Sequence, residues 1–380
     1  MIFQPHRRMY LAAFLLDFSV AIGLTAMPFF IFERLHGGPA LSGTVGAVQM
    51  ALYAAGCLLS AGFVARAANG LRWALAGVGA FAALFTLVPW MGTPVLCSIV
   101  ASLPFLGLAL AWPAMQSWLG GEPDPERRAR HLTGFNTATA FGFALSPLLA
   151  GPLYDLDYRL PFVALFAMCV VVLGLVMSLP SEATRAKKAA AEETDSSVET
   201  SIPLSGGILY ASWGATFTAS GLFAAVRSVY PKQVESLVTD GTLTLFGGLR
   251  PAWLHSVGPA TTFSWLAVLL SLATVACFMI LGRTKGWHGR FGFIVAGQLA
   301  AAVSFIALGQ TRSLTAMMLC FVLVGANFGL CFFASLFYSL ADAGKKHQRA
   351  AINEGVLGAG GFVGGIVVGH AAASAGMTAA

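Results

Sequence analysis

Eleven apolar stretches, each close to the length of a membrane crossing, constrain what this chain can become more than any other feature. A helix needs about 20 apolar residues to cross the roughly 30 Å hydrocarbon layer of a bilayer. On that measure spans are predicted near residues 10–32, 42–64, 73–91, 95–119, 132–154 and 161–180, and again near 204–228, 259–282, 291–310, 314–340 and 350–374. Of the 380 residues 57% are hydrophobic and 10% charged, with a mean hydropathy of +0.77, a balance that a water-soluble globule of this size would not tolerate on its surface. The chain reads as an all-α polytopic membrane protein.

The tract SEATRAKKAAAEETDSSVET carries charge of both signs and no aromatic residue, as a flexible cytoplasmic connector would. It divides the chain into an N-terminal six-helix half over 1–180, a linker over 181–203 and a C-terminal half over 204–380. Five spans fall in the second half, and SAGMTAA reads as a turn leading into one more helix, so a twelfth span is expected beyond the eleven.

The halves are related by an internal repeat. The stretch RARHLTGFNTATAFGFALSPLLAGPLYD returns 218 residues later as RAAINEGVLGAGGFVGGIVVGH. Asn136 then falls on Glu354, Gly142 on Gly360, Ser146 on Gly364, Pro147 on Gly365 and Gly151 on Gly369. At an offset of 220, Trp112, Ala114 and Trp118 fall on Phe332, Ala334 and Tyr338. Small residues every three or four positions let helices approach closely in a bilayer, so both copies should press a smooth face on a neighbour. Paired halves of several spans each are the signature of a transporter that rocks one half against the other.

The formal net charge of +6 does not indicate a nucleic-acid partner, because Lys and Arg lie almost entirely between the apolar spans. With the N-terminus in the cytoplasm, sixteen fall inside and six outside, and every cytoplasmic segment carries at least two. The expected location is the plasma (inner) membrane. Trp73, Trp90 and Trp287 lie near span ends, as interfacial anchors do, and the long external loop near 229–258 could form a short helix on the membrane surface. MIFQPHRRMY leads straight into a full-length apolar run, which reads as a retained anchor and not a cleavable signal. All six cysteines lie inside apolar segments without metal-ligand spacing, so no metal or cofactor is expected.

Six plus six spans, a charged middle loop and paired halves resemble the major facilitator superfamily, and the likeness covers the chain up to the absent last helix. The stretch GFALSPLLAG, from Gly142 to Gly151, is similar to the superfamily's fifth-helix antiporter motif GxxxGPxxGG. Ser146 and Ala150 replace two glycines, and Pro147 keeps the kink. The loop after the second span, GFVARAANGLR, lacks the acid of the superfamily's G-x-L-A-D-R-x-G-R-R motif, and the fourth span lacks the arginine of drug/proton antiporters. The pairing of WPAMQSW and GFN with FASLFYS and INEG is similar to a little-characterised branch of the superfamily.

Two acids lie within spans. Asp17 stands seven residues into the first, about 10 Å deep at 1.5 Å per residue. A carboxylate there must face a cavity, find a partner or take up a proton, which makes it a proton-coupling candidate against a structural hydrogen bond as the plain alternative. Glu354 stands five residues after Arg349, where the helix N-terminus and water favour charge, so its role should be weaker. Asn136 and Asn353 are read as inner-gate hydrogen-bonding groups that could touch solute. The resemblance implies a central cavity lined by the first, fourth, seventh and tenth helices, which offers Trp112, Gln116, Tyr210, Trp213, Thr216, Asn327, Phe332 and Tyr338. Arg227, at the outer end of the seventh span, reads as an interfacial snorkeller or as a gate or anion contact. Gly142, Ser146, Pro147, Gly151, Gly360, Gly364, Gly365 and Gly369 are the gate and hinge candidates.

No HExxH, GxSxG or P-loop is present, and the Asp155–Asp157 pair reads as a turn, so the chain is not read as an enzyme. The resulting expectation is a monomeric secondary transporter that moves a small organic solute by alternating access, coupled to protons. Antiport export of a neutral, amphipathic or cationic compound is favoured over symport import of a sugar-like or polar nutrient. A non-transporting sensor or scaffold is the reading from another class.

The charge asymmetry sets a direct test. Ala190→Cys should be labelled by a membrane-impermeant maleimide only from the cytoplasmic side, and Asp240→Cys only from outside; labelling of the latter from the cytoplasm would overturn the orientation.

Overall fold

The computed structural model describes residues 4–64, 70–120, 125–180, 206–284, 286–340 and 346–375. The expected linker over 181–203, most of the loop after the second span and the expected turn at 376–380 lie outside them. The first group of helices comprises α1 (Pro5–Glu33), α2 (Pro39–Val64), α3 (Leu71–Thr86), α4 (Pro94–Ser102), α5 (Pro104–Gly120), α6 (Pro125–Leu145), α7 (Pro147–Leu156) and α8 (Leu160–Met177). The second comprises α9 (Gly206–Ser228), α10 (Tyr230–Thr239), α11 (Ala252–His255), α12 (Pro259–Arg283), α13 (Phe291–Gln310), α14 (Leu314–Leu340) and α15 (Lys346–Ala375). Proline opens α1, α2, α4, α5, α6, α7 and α12, because its fixed φ suits the first helical position and its missing N–H is unpaired there in any case.

Among the described residues nine helical stretches are long and apolar enough to cross a membrane, against the eleven expected. The two that fall short are helical all the same. The 132–154 stretch is broken at Ser146 into α6 and α7, and 204–228 is diluted by Ser, Thr and Gly along α9. The break has a local cause. Pro147 cannot donate to the Phe143 carbonyl one turn back, and the buried Ser146 hydroxyl donates to that oxygen instead, at 3.4 Å. Outward faces are apolar, as lipid requires: Leu299, Val303 and Ile306 are all exposed on α13.

The sequence repeat is realised as a contact repeat. The α6–α7 pair packs on α1 as α15 packs on α9, and α2 packs on α5 as α12 packs on α14. A Cβ at Gly142 would collide with the Phe14 carbonyl of α1, and one at Gly360 with the Phe217 carbonyl of α9. Further along, a Cβ at Gly151 would stand 2.6 Å from the Ala260 carbonyl near the start of α12. One at Gly369 would stand 2.9 Å from the Pro39 carbonyl at the start of α2. The smooth stripe therefore splits in two. Gly142, Gly360 and Gly364 face helices of their own group, whereas Gly151, Gly365 and Gly369 face the opposite group. The two repeated helices do not form the seam with one another.

Contacts between the groups gather toward the end that carries the 34–38, 157–159 and 229–258 connections, here called the upper end. The closest seam joins α2 to α15, where Gly43 meets Gly365 and Gly369 and where Met50 and Ala54 meet Gly358. The Ser42 hydroxyl donates to the Ser228 carbonyl at 2.5 Å, and Phe29 meets Phe263 edge-on at 5.9 Å. Asp155, read from the sequence as a turn residue, reaches across the seam. Its carboxylate accepts the Thr261 backbone N–H at 3.0 Å and the Thr261 hydroxyl, serving the first turn of α12, and Gly258 leaves it room.

Two further readings are corrected here. The helix expected on the membrane surface is α10, but it lies on the bundle, with Tyr230, Gln233 and Val234 buried and the Gln233 amide donating to the Leu308 carbonyl at 2.9 Å. Trp287 is no interfacial anchor. It is buried, and its indole N–H meets the Leu281 and Thr284 carbonyls at 3.0 and 2.9 Å, closing the end of α12.

Three expectations follow. Gly360→Leu should lower the unfolding temperature, because overpacking against backbone within one group costs roughly 1–3 kcal/mol. Gly365→Leu should spare the membrane level and instead expose upper-end cysteines to labelling while net flux falls; parental flux and labelling in this variant would show that the α2–α15 seam is static. Asp155→Ala should also loosen the upper end, by about 1 kcal/mol as for other lost helix caps, read as faster labelling of upper-end cysteines at unchanged expression.

Candidate functional site: an interior space between the two helix groups

Asp17 keeps some accessible surface yet lies deep among protein atoms, as a side chain facing an interior space does. Glu354 has the same character on α15. Tyr53 of α2 lies near both carboxyls and shares a hydrogen bond with the Cys57 thiol one turn below. Acid, phenol and acid thus draw on α1, α2 and α15 at the seam between the groups. Tyr53 was not singled out from the sequence. The available signal was the small-residue series Gly43, Ala47 and Ala54 on α2, which marks a face for close helix approach without naming the partner.

A run of aromatic rings crosses the seam between the groups. Phe143 of α6 stacks on Phe223 of α9 at 6.3 Å between centroids, Phe223 on Phe328 at 4.4 Å and Phe328 on Phe332 at 5.9 Å. Each of these rings is only half-buried. Trp112 is half-buried too and meets Phe135 edge-on at 5.9 Å. Tyr210 is well exposed near the lower end of α9, against Trp213, whose indole donates to the Ser339 hydroxyl at 2.9 Å. Asn136 is exposed near the lower end of α6.

Several other candidates are turned away from the space. Thr216 is fully buried and donates to the Cys331 carbonyl at 2.9 Å. Asn327 is buried against Gly297 of α13 and accepts from the Cys331 thiol at 3.4 Å. With Gln298, whose amide donates to the Ala215 carbonyl at 2.7 Å, they tie α9, α13 and α14 together. Tyr338 is buried and accepts the Gly289 N–H at 2.9 Å. It matches its repeat mate Trp118, which donates to the Pro180 carbonyl at 3.0 Å. Each residue ties the lower end of its helix to a connection at the end of another helix, Trp118 to the one after α8 and Tyr338 to the one between α12 and α13. The Gln116 side chain lies outside the described residues. Asn353 is fully buried, with both amide atoms lacking a partner.

Arg227 is not a snorkeller. Only 8% exposed, it points inward, where Nη2 donates to the Thr25 hydroxyl of α1 at 3.3 Å and the guanidinium lies 4.5 Å from the Phe143 ring centroid. Among the described residues no group of three or more His, Cys, Asp or Glu side chains could hold a metal ion.

Comparison with known proteins agrees with this architecture. A bacterial homologue of the human lysosomal transporter Spinster, in an inward-facing and occupied conformation, superposes with a TM-score of 0.75 at 14% identity, covering 98% of this chain and 83% of that one. The nucleoside transporter NupG gives 0.71 at 13% identity, covering 97% and 91%, and a D-xylose–proton symporter gives 0.68 at 13%, covering 98% and 91%. At such identities the likeness is one of fold. No curated protein matches the chain. Residues 9–237, more than half of the chain, match the Major Facilitator Superfamily, and the chain, with its paired helix groups, belongs to that family of membrane transporters.

Proposed function

We propose that this protein is a proton-coupled secondary transporter working by alternating access, and that Asp17 carries the coupling proton. The observation that supports this most directly is the placement of Asp17, a carboxyl deep in α1 that faces the interior space, with Tyr53 near both it and Glu354. A carboxyl so placed can take up a proton, and a change in its surroundings during the cycle would load or release it. Upper-end contacts across the seam, with Asp155 serving α12 and Arg227 meeting Thr25, support reading this arrangement as the state open toward the lower end. With the charge asymmetry placing that end in the cytoplasm, the solute would load from inside, which favours export.

The solute class follows from what the space offers. Half-buried phenylalanine rings supply apolar area, while the Thr216 hydroxyl is committed to a helix–helix hydrogen bond and Asn327 is buried against Gly297. A sugar-like nutrient would need several free donors and acceptors. An amphipathic organic solute would not, and it is the reading favoured here.

Flux into proteoliposomes tests the coupling. For one proton per solute, a pH gradient of one unit should support an about tenfold solute gradient in the parent. Asp17→Asn should keep solute exchange at equal pH but lose the response to the gradient, because an amide retains a hydrogen bond and cannot shuttle a proton. Tyr53→Phe and Glu354→Gln should weaken the response without removing it. An undiminished gradient response in Asp17→Asn would assign Asp17 a structural role, and an absence of flux in the parent for every solute that stabilises it would favour a sensor.

A further inference from the structure

Among the described residues Arg227 is the only charged side chain that is more than nine-tenths buried. Nη2 has the Thr25 hydroxyl, Nη1 has no partner, and the carbon at the centre of the guanidinium lies 4.5 Å from the Phe143 ring centroid and 5.7 Å from that of Phe223. No carboxylate in the described part of the chain pairs with it. Ring faces offset part of the cost of holding a cation out of water, but removing a charge from water without a counter-charge remains expensive. An easier course was open. Arg227 is in the last turn of α9, within reach of the upper membrane surface by extending its stem, and it turns inward instead.

Below it run the half-buried rings of Phe223, Phe328 and Phe332, so the guanidinium caps the aromatic run between the groups. A guanidinium presents a flat fork of N–H donors that matches a carboxylate, sulfonate or phosphonate with two parallel hydrogen bonds. Nη1 is free to begin such a pair. An anion bound there would supply the missing counter-charge, and an apolar body behind it would lie along the rings.

We propose that Arg227 anchors the anionic head group of the transported solute, so that the solute is an organic anion with an aromatic or alicyclic body. This narrows the amphipathic class reached above and rests on the transport reading, but it does not depend on the proton role of Asp17. A lipid phosphate could offer the same head-group chemistry, so the test separates the two sources.

Purified protein in phosphatidylcholine nanodiscs, with and without phosphatidylglycerol, would be unfolded thermally with 4-phenylbutyrate, cyclohexanecarboxylate and benzenesulfonate. The corresponding neutral compounds, 4-phenylbutyramide and cyclohexanecarboxamide, serve as controls. The anions should raise the unfolding temperature of the parent in neutral lipid, and the amides should not. Arg227→Gln should weaken binding of the anions at least tenfold, and Arg227→Lys should retain part of it. Without ligand, Arg227→Gln should be no less stable than the parent, since it removes a buried charge. If it fails to fold, the anion-against-amide contrast in the parent and the Lys variant decides. Equal shifts by amides and anions, unchanged anion binding in Arg227→Gln, or no shift by any anion would each overturn the proposal. Stabilisation by phosphatidylglycerol alone would assign the site to lipid and overturn it too. Loss of the pH response in Asp17→Asn alongside equal binding of amides would leave the transport reading standing and remove only the anion site.

Discussion

Close approach of helix backbones across small residues is the interaction on which the rest of this molecule depends. Hydrocarbon tails are as apolar as leucine, so burying apolar side chains between helices gains little inside a bilayer, and packing contact must hold the bundle together. Two kinds of approach do so here. Gly142 on α1 and Gly360 on α9 bind each repeated helix within its own group, while Gly151 on α12 and Gly369 on α2 bring the groups together. The same stripe that stabilises each group also defines the surface on which the groups meet. A smooth surface carries few side chains that must interlock, so two groups joined in this way can separate without breaking either one.

Against that smooth background the few charged groups inside the spans stand out. Asp17 and Glu354 lie near Tyr53 at the seam, and Arg227 lies nearer the upper end against the Phe143 ring. None of the three is paired with an opposite charge in the described structure, although a mutual ion pair would have been the obvious way to lower the cost of burial. Thr25, which receives the Arg227 contact, lies two turns above Asp17 on α1. Movement of α1 against α9 would therefore alter the surroundings of the acid and of the base together, which ties the upper closure to the chemistry of the space.

The structure also separates residues that hold from residues that act, a distinction that side-chain type does not make. Thr216 and Asn327 are polar groups on cavity-forming helices by the superfamily's layout, yet the first is spent on the Cys331 carbonyl and the second is buried against Gly297. Trp118 and Tyr338 are repeat mates that serve one mechanical end, fastening a helix terminus to the connection of a neighbouring helix. Phe143, Phe223 and Phe328 carry no distinguishing mark in an apolar sequence and make up the half-buried aromatic run between the groups.

By itself the sequence determined the all-helical membrane class, the approximate spans, the two related groups and the break at Pro147. These follow from one-dimensional properties: apolar length against bilayer thickness, the period of small residues, and the missing N–H of proline. Only the tertiary structure decided which helix each glycine meets, that Asp155 serves a helix of the opposite group, and that Arg227 turns inward. It alone brought Tyr53 near two carboxyls whose positions are 337 residues apart in the chain. A helical face shows that a neighbour exists and carries no record of which neighbour, because a smooth stripe fits any other smooth stripe. Partners are chosen when all the helices pack at once, and the charges acquire their surroundings only then.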